Sequence, residues 1–220
     1  MKREIVSTND GSTTIYIPDM DENYHSTHGA IQEALHVFIE NGLKTINKKN
    51  ISVFELGFGT GLNALLSLHF AKENSRNIFY HGIEAFPVEK QLIDSLNYVD
   101  LTGANFQSEF DTLHHSAWLK KNQISSNFEI LKTQSKIEDF ELGREKYDII
   151  YFDAFGFRAQ PEMWKMSVLQ KMYNLLNRGG VMVTYAARGQ FKRDLKFLGF
   201  EVESLPGPPG KREMTRAIKV

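Results

Sequence analysis

A strand that runs directly into a glycine-rich turn is the most constraining feature of this sequence. The segment 51–56 has the apolar pattern of a buried strand, and Gly57, Gly59 and Gly61 follow it at alternate positions. A helical pattern then begins at Leu62. A strand, a glycine turn and a helix N-terminus, in this order, form the usual place where an open α/β sheet holds a nucleotide-like ligand.

The spacing of the glycines narrows the class of ligand. The segment reads Glu-x-Gly-x-Gly-x-Gly, whereas dinucleotide-binding domains carry Gly-x-Gly-x-x-Gly. The first form is typical of enzymes that bind S-adenosylmethionine. Glycine lets the backbone approach a ligand closely, and the N–H groups of the helix N-terminus suit the methionyl carboxylate. We therefore expect Glu55, Gly57, Gly59 and Gly61 to bind S-adenosyl-L-methionine.

Alternating strand and helix patterns predict an α/β fold with a doubly wound, mostly parallel sheet of seven strands. A terminal hairpin inserts an antiparallel strand, which is characteristic of the class I S-adenosylmethionine-dependent methyltransferase (Rossmann-like) type and is lacking in dinucleotide domains. Short helical pieces are expected within residues 98–123. The pair Gly179-Gly180 is expected to end the long helix that begins at Pro161. The patterns predict helices at 28–42, 62–73, 161–176 and 189–198, and strands at 13–17, 51–56, 78–84, 128–132, 147–153, 181–185, 200–204 and 213–219.

Length and composition limit the remaining possibilities. A chain of 220 residues suits one globular domain; we expect a methyltransferase domain at 46–220 with an N-terminal extension and helix at 1–45 packed on it. The absence of cysteine excludes disulfides, thiolate metal sites and a cysteine nucleophile. No apolar run approaches the ~20 residues of a membrane span, and the N-terminus lacks a signal-peptide pattern. A cytoplasmic protein with no membrane partner is therefore expected.

The charge is unevenly distributed along the chain. The net charge is −1, which argues against a general affinity for nucleic acid. Residues 178–220 hold nine Lys or Arg and four Asp or Glu, so this segment is +5 and residues 1–177 are −6. A local basic face is enough to steer a phosphate backbone, although a solvated surface explains the same charges.

Polar residues follow the second and third strands, where an open parallel sheet binds its ligands. Glu84 ends the second strand, and a carboxylate there can accept hydrogen bonds from both ribose hydroxyls. After the third strand, Gln134 or Ser135 is the candidate for the adenine contact, because no carboxylate lies nearby.

The fourth strand ends at Asp153, which we expect beside the group that receives the methyl. An amine acceptor must lose a proton before it attacks, and a carboxylate attracts its ammonium form and then orients its lone pair. A helix cap or a cofactor contact is the alternative role. Phe155 and Trp164 follow and are candidate stacking platforms for a base, with plain helix–sheet packing an equal alternative for Trp164.

Several segments together resemble the methyltransferase domain of the MnmC family, in order and over nearly the whole chain. The segments are Tyr24-His25-Ser26-Thr27-His28-Gly29-Ala30-x-x-Glu33, Glu55–Gly61, Ile83-Glu84-Ala85-Phe86-Pro87, Phe152-Asp153-Ala154-Phe155 with Pro161-x-Met163-Trp164, and Lys211-Arg212-Glu213-Met214. The resemblance implies S-adenosylmethionine as donor and methylation of the exocyclic amine of 5-aminomethyl-(2-thio)uridine at the tRNA wobble position. It also implies the stand-alone form of the family, without the flavin-dependent oxidoreductase domain.

The implied substrate assigns further residues. A wobble uridine lies in the single-stranded anticodon loop, so its base can be splayed out and inserted into a site. Arg193, Lys211 and Arg212 would then contact the tRNA, and Tyr24, His25 and Glu33 are candidates at the substrate or over the cofactor.

Other functions remain open from the sequence. One alternative is a methyltransferase of the same fold that acts on a small-molecule amine, against which the basic segment 178–220 is weak evidence. A dinucleotide-dependent oxidoreductase is disfavoured by the glycine spacing, and a silent binding module by the intact Glu84 and Asp153. No metal is expected, because His25-x-x-His28 and His114-His115 lack an evident third ligand.

Overall fold

A computed structural model describes residues 2–102 and 105–220 of the chain. Within these ranges the strands form two sheets. The smaller is antiparallel and consists of β1 (Glu4–Ser7), β2 (Thr13–Ile17) and β3 (Glu22–Asn23). The main sheet consists of β4 (Asn50–Leu56), β5 (Asn77–Glu84), β6 (Lys121–Ser125), β7 (Phe128–Gln134), β8 (Tyr147–Phe152), β9 (Leu176–Thr184), β10 (Phe200–Pro206) and β11 (Glu213–Lys219).

The main sheet is doubly wound, as the sequence predicts. Its strand order is β10-β11-β9-β8-β4-β5-β7-β6, and the five inner strands from β9 to β7 run parallel. The chain winds from β4 through β5 to β7 on one side, then returns to β8 and β9 on the other. The switch point, where such folds bind ligands, therefore lies beyond the ends of β4 and β8.

Eight strands replace the seven expected. The additional strand, β6, pairs antiparallel with β7 at the sheet edge. Its residues Lys-Asn-Gln-Ile-Ser are all exposed or half-buried, so the segment has no apolar alternation by which the sequence could mark it. The antiparallel C-terminal hairpin is confirmed, with β11 inserted between β9 and β10.

Helices cover both faces of the main sheet. One face packs against α2 (Leu62–Glu73), α5 (Gln107–His115) and the N-terminal helical segment, and the other against α6 (Met166–Leu175) and α7 (Gly189–Phe197). A π-helix at Leu35–Glu40 continues α1, and 3₁₀ helices lie at Leu43–Thr45 and Pro161–Trp164. The α-helices are α1 (Ala30–Ala34), α2 (Leu62–Glu73), α3 (Lys90–Ile93), α4 (Tyr98–Leu101), α5 (Gln107–His115), α6 (Met166–Leu175) and α7 (Gly189–Phe197).

Strand alternation builds the two core layers. Val53 of β4 and Tyr151 of β8 point to the α2 layer, whereas Phe54 and Phe152 point to the α6 layer. The helix α2 is covered almost all round, with ten residues buried, because α1, the π-helix and α5 pack on it as well as the sheet. Its first turn is thus held rigidly beside the glycine loop.

One long helix of the sequence analysis is divided in the structure. The expected helix 161–176 is a 3₁₀ turn followed by α6, because Lys165 between them takes an extended backbone. The pair Gly179-Gly180 does not end this helix. Leu176 is already extended and paired with Tyr147, and the two glycines lie inside β9.

The other expected elements are close to those observed. The expected helix 28–42 is shorter, and the helical pieces of 98–123 are α4 and α5, with residues 103 and 104 outside the described residues. The division of the chain at residue 45 stays a prediction. None of the described helices has the length and apolar character that crossing a membrane requires.

Candidate active site

The glycine loop between β4 and α2 forms one wall of a cavity of about 370 Å³, which is within the ~300–1,000 Å³ typical of small-molecule sites. Gly57, Gly59 and Gly61 have φ angles of +95°, +50° and +72°, which L side chains rarely adopt. A Cβ atom on Gly59 would lie 3.1 Å from the Tyr24 ring, so the space inside this loop requires glycine. We call this space the glycine-loop cavity.

Glu84 is fixed on the rim of the glycine-loop cavity. Its Oε2 accepts a hydrogen bond from the Gly59 N–H at 3.0 Å, and its Oε1 accepts one from the Phe86 N–H at 2.8 Å. The carboxylate therefore ties the glycine loop to the exit of β5. It lines the cavity with lone pairs still available to a ligand.

A second cavity of about 270 Å³ adjoins the first. Glu33, Tyr185 and Lys211 line it, and we call it the Lys211 cavity. The two cavities share five lining residues: Tyr24, His25, Asp153, Ala154 and Phe155. Asp153, at the end of β8, therefore lies at the junction where a group in one cavity meets a group in the other.

Asp153 is anchored from the side of α2. The Asn63 Nδ2 group donates one hydrogen bond to Asp153 Oδ2 at 2.8 Å and another to Glu55 Oε1 at 2.9 Å. Burial and the Glu33 carboxylate raise the pKa of Asp153 to about 7, against the opposing influence of Asn63 and Lys211. The carboxyl group is therefore balanced between its two protonation states near neutral pH.

Glu55 is fully buried beneath the site. Burial, followed by the charge of Asp153, holds the pKa of Glu55 well above its ordinary value. It contacts Asn63 rather than either cavity. Its position corrects the expectation that Glu55 contacts the cofactor directly, because the side chain points into the core below the loop.

The N-terminal sheet forms a roof over the glycine-loop cavity. Ile17, Met20 and Tyr24 line the cavity from this side. Arg3 fastens the roof, since its guanidinium donates to the Phe86 carbonyl at 2.7 Å, the Pro87 carbonyl at 3.1 Å and Glu89 Oε2 at 2.8 Å. The N-terminal segment thus contributes part of the ligand site.

The comparisons with known proteins agree with this geometry. Residues 104–220 match the family described as S-adenosyl-L-methionine-dependent methyltransferase. The chain belongs to this family. This membership confirms the methyltransferase prediction and S-adenosylmethionine as the cofactor, and it disfavours the dinucleotide-dependent oxidoreductase and the silent binding module.

Two curated relatives carry a tRNA-related name, tRNA 5-methylaminomethyl-2-thiouridine biosynthesis bifunctional protein MnmC. The protein from Cupriavidus metallidurans is 29% identical over 230 residues, which cover 97% of this chain and 33% of that protein. The protein from Pseudoalteromonas atlantica is 28% identical, with 91% and 31% covered. The methyltransferase therefore spans about a third of the length of the curated relatives that it matches.

Solved structures confirm the fold class. MNMC2 from Aquifex aeolicus superposes with a TM-score of 0.78 at 25% identity, covering 98% of this chain and 70% of that one. CalS10, an amino pentose methyltransferase from Micromonospora echinaspora solved with bound S-adenosylmethionine, has a TM-score of 0.54 at 11% identity, covering 88% and 93%. The second likeness shows the fold alone.

The glycine-loop cavity fits S-adenosylmethionine. Glu84 lines the cavity with carboxylate oxygens of the kind that accept hydrogen bonds from hydroxyl groups, and the first turn of α2, where Leu62 and Asn63 line the cavity, has backbone N–H groups without a partner in the helix. Ser135 lines the cavity, but the exposed Gln134 side chain does not, since β7 turns it outward. Gly61 supports the loop from behind, where a Cβ atom would meet His114.

The aromatic candidates take different positions. Phe155 lines both cavities and makes an edge contact with Tyr24 at 5.1 Å between ring centroids. Trp164 is buried, donates its Nε1–H to the Phe155 carbonyl at 2.9 Å and stacks on Phe157. Trp164 therefore packs in the core of the structure and is not positioned to stack on a substrate base.

The basic candidates lie on the outer side of the site. Lys211 lines the Lys211 cavity, whereas Arg212, the next residue, is exposed in the turn between β10 and β11. Arg193 is exposed on α7, and its guanidinium donates to Gln190 Oε1 at 2.8 Å. His25 lines both cavities, and burial lowers its pKa to about 4, so it is neutral at pH 7.

Several lining residues escaped the sequence analysis. Asn63 and Tyr185 are the most informative, because Asn63 holds Asp153 and the Tyr185 hydroxyl donates to the Ala154 carbonyl at 2.7 Å. Tyr185 directly follows β9, so the rule that locates ligands beyond strand ends would have found it. The sequence signal for Asn63 is weak, because it is a single polar residue in the apolar first turn of α2. Among the described residues, no group of three His, Asp or Glu side chains is placed to hold a metal ion.

Proposed function

We propose that this methyltransferase transfers the methyl group of S-adenosylmethionine to the primary amine of 5-aminomethyl-(2-thio)uridine at the wobble position of tRNA. The observation that carries the proposal is the position of Asp153 at the junction of the two cavities, with a pKa of about 7. A donor in the glycine-loop cavity and an amine in the Lys211 cavity would meet at this carboxylate.

The chemistry of the site suits an amine acceptor. S-adenosylmethionine supplies a methyl group on a positively charged sulfur. Ionised Asp153 attracts the substrate ammonium and accepts its proton, so that the nitrogen lone pair is free to form the new N–C bond as the C–S bond breaks towards the sulfur. A base whose pKa is near the working pH is suited to this transfer. Asn63 holds the carboxylate in place. Most of the expected rate gain comes from holding the donor methyl group and the amine nitrogen in line.

Two further observations support tRNA as the carrier of the amine. The likeness to MnmC proteins covers 97% of this chain, and those proteins are named for 5-methylaminomethyl-2-thiouridine biosynthesis. Arg212, which follows Lys211 in the chain, and Arg193 on α7 are exposed cations available to the phosphates of an anticodon loop. We assign Asp153 the catalytic role, and Glu84, Ser135 and the glycine loop the donor. The proposed substrate implies a cytoplasmic location.

A direct assay tests the proposal. Purified protein is incubated with S-adenosylmethionine and an anticodon stem-loop that carries 5-aminomethyluridine, and the nucleosides are analysed by mass spectrometry. We expect the methylaminomethyl nucleoside, with affinity that falls steeply as salt increases because phosphate contacts release counterions. Accumulation of aminomethyluridine in tRNA from cells that lack the protein is the matching result in vivo.

The contrary result is equally defined. A stem-loop that stays unmethylated while free small amines are methylated, at a rate independent of salt, would assign the enzyme to small-molecule amines instead. Asp153→Asn is the control that separates enzymatic from background methylation in either case.

A further inference from the structure

A partly buried ion pair forms part of the wall of the Lys211 cavity, which Asp153 also lines. The Lys211 ammonium donates to Glu33 Oε1, and Glu33 Oε2 accepts a hydrogen bond from the Ser26 N–H at 2.8 Å. The Glu33 side chain is 8% exposed and that of Lys211 33%. The Lys211 Nζ atom also lies 4.3 Å from the centre of the Tyr185 ring. Backbone, ring and carboxylate therefore fix the pair in one orientation.

The pair retains hydrogen-bonding capacity towards the cavity. An ammonium group has three N–H donors, and a carboxylate oxygen accepts more than one hydrogen bond. With Lys211 bonded to Glu33, the cavity wall presents a donor and an acceptor side by side, in a fixed order. A planar ligand with an acceptor next to a donor on one edge would match both at once.

We propose that Glu33 and Lys211 read the edge of a uracil ring, with the Lys211 ammonium donating to O4 and the Glu33 carboxylate accepting the N3–H. This inference rests on the proposed function. Uracil carries O4 beside N3–H, whereas cytosine carries an amino group beside an unprotonated nitrogen. Cytosine would place donor against donor and acceptor against acceptor, so the pair selects uridine by repulsion as well as attraction.

The arrangement is consistent with the reacting group. The carbon that bears the aminomethyl substituent is the ring neighbour of the carbon that bears O4. Lys211 and Glu33 are both close enough to Asp153 to influence its charge. A base held through O4 and N3 would therefore direct its amine towards Asp153, with Tyr24 and Phe155 as aromatic walls beside the ring.

Three anticodon stem-loops that differ only at the wobble nucleoside test the inference. They carry 5-aminomethyluridine, its N3-methyl derivative, which lacks the N3–H, and 5-aminomethylcytidine. All three present the same amine to Asp153. We expect the unaltered protein to prefer the first over each of the others by roughly 10- to 100-fold in kcat/KM, which is the discrimination typical of a bidentate contact to a base edge.

Two variants assign the preference to the ion pair. Glu33→Ala should bring the ratio for the N3-methyl substrate close to one. Lys211→Met should lower the ratio for the cytidine substrate without abolishing it, because the Glu33 carboxylate still faces the unprotonated N3 of cytosine. Affinity for S-adenosylmethionine should stay within about threefold, which also shows that the variants fold. Glu22→Gln is the matched control, because Glu22 lines the same cavity but pairs with Arg158; both ratios should be unchanged.

The outcomes separate this inference from the proposed function. Equal rates on the three stem-loops, or ratios that persist in Glu33→Ala and Lys211→Met, would overturn the reading of the uracil edge and leave amine methylation on tRNA intact. No methylation of the 5-aminomethyluridine stem-loop by the unaltered protein would overturn both. If Glu33→Ala does not fold, the cytidine ratio of Lys211→Met decides.

Discussion

Replacement of Asp153 by Asn gives the sharpest test of the active site. The two side chains have the same shape, and the Asn carbonyl oxygen can still accept the hydrogen bond that Asn63 donates at 2.8 Å. The variant therefore removes the charge and the proton-accepting capacity while the position is kept. Affinity for S-adenosylmethionine should change by less than about threefold.

The size of the effect follows from the role of Asp153. A positioned general base contributes roughly 10²- to 10⁴-fold, so kcat should fall by at least about 100-fold. In the unaltered protein, Asp153 must be ionised to accept a proton, and its pKa is about 7. Turnover should then rise about tenfold per pH unit below pH 7 and level off above it, and the residual activity of Asp153→Asn should lack this step at pH 7.

The same variant should be more stable than the parent at high pH. The pKa of Asp153 is about 7 in the folded protein against an ordinary 3.8, so folding stability is lost as the pH rises through this interval. The full shift corresponds to an upper limit of roughly 4 kcal/mol, which the partial exposure of the carboxyl reduces. Asn does not ionise, and the variant should recover this loss above pH 7.

Three measurements test these effects. Initial rates from pH 5.5 to 9 give the turnover, calorimetry gives the affinity for the donor, and urea unfolding at pH 5 and pH 8 gives the stability. Glu55→Gln is the matched control. Glu55 accepts a hydrogen bond from the same Asn63 group at 2.9 Å but lines neither cavity, and burial raises its pKa well above the ordinary value. This control should keep the step near pH 7. A turnover of Asp153→Asn within tenfold of the parent, or an unchanged step, would refute the assignment.

Three other changes should have distinct effects. Glu84→Ala should weaken binding of S-adenosylmethionine by about 10- to 150-fold in Kd, since hydrogen bonds to a charged group contribute roughly 1.5–3 kcal/mol; an unchanged Kd in calorimetry would remove Glu84 from the donor site. Gly57→Ala should cost about 1–3 kcal/mol of stability and most of the turnover, because its Cβ would lie 2.5 Å from the Asp153 carbonyl oxygen; parent-like melting and rates would contradict this. Acidification from pH 6.5 to 4 should destabilise and unfold the protein, because four histidines are protonated in this range only in the unfolded chain. Asp153 and Glu55 act in the opposite direction, so about two net protons bind on unfolding and the free energy of unfolding should fall by roughly 2–3 kcal/mol per pH unit. A free energy of unfolding in urea that stays constant from pH 7 to 4.5 would contradict this. The histidines, whose pKa burial lowers to about 4, are His25, His69, His81 and His114.

The part of the site that the sequence predicts is the part built from strand ends. Gly57, Glu84 and Asp153 follow three parallel strands, and parallel strands bring their carboxyl ends to one edge of a sheet. Their convergence on one cavity therefore follows from local patterns and one topological rule. The loop geometry follows in the same way, because positive φ angles need glycine.

The parts that the sequence does not predict depend on long-range packing. Arg3 contacts residues 83 to 86 positions later in the chain, and the Glu33–Lys211 pair spans 178 positions. No local pattern indicates such partners. Trp164 shows the same limit: an aromatic residue after a strand end can face a cavity or the core, and the break at Lys165 determines which. The edge strand β6 has a single apolar residue, Ile124, and carries no periodic signal.

The roof over the glycine-loop cavity has a consequence for the bound donor. It belongs to a separate three-stranded sheet and is fastened to the β5 exit through Arg3, at an ion pair whose Glu89 partner is 60% exposed. The same segment is also held by hydrogen bonds from Thr13 to Asn97 and from Arg158 to Asp21. A donor bound in this cavity is therefore enclosed between the doubly wound sheet, which carries Asp153, and a second sheet contributed by the amino-terminal segment.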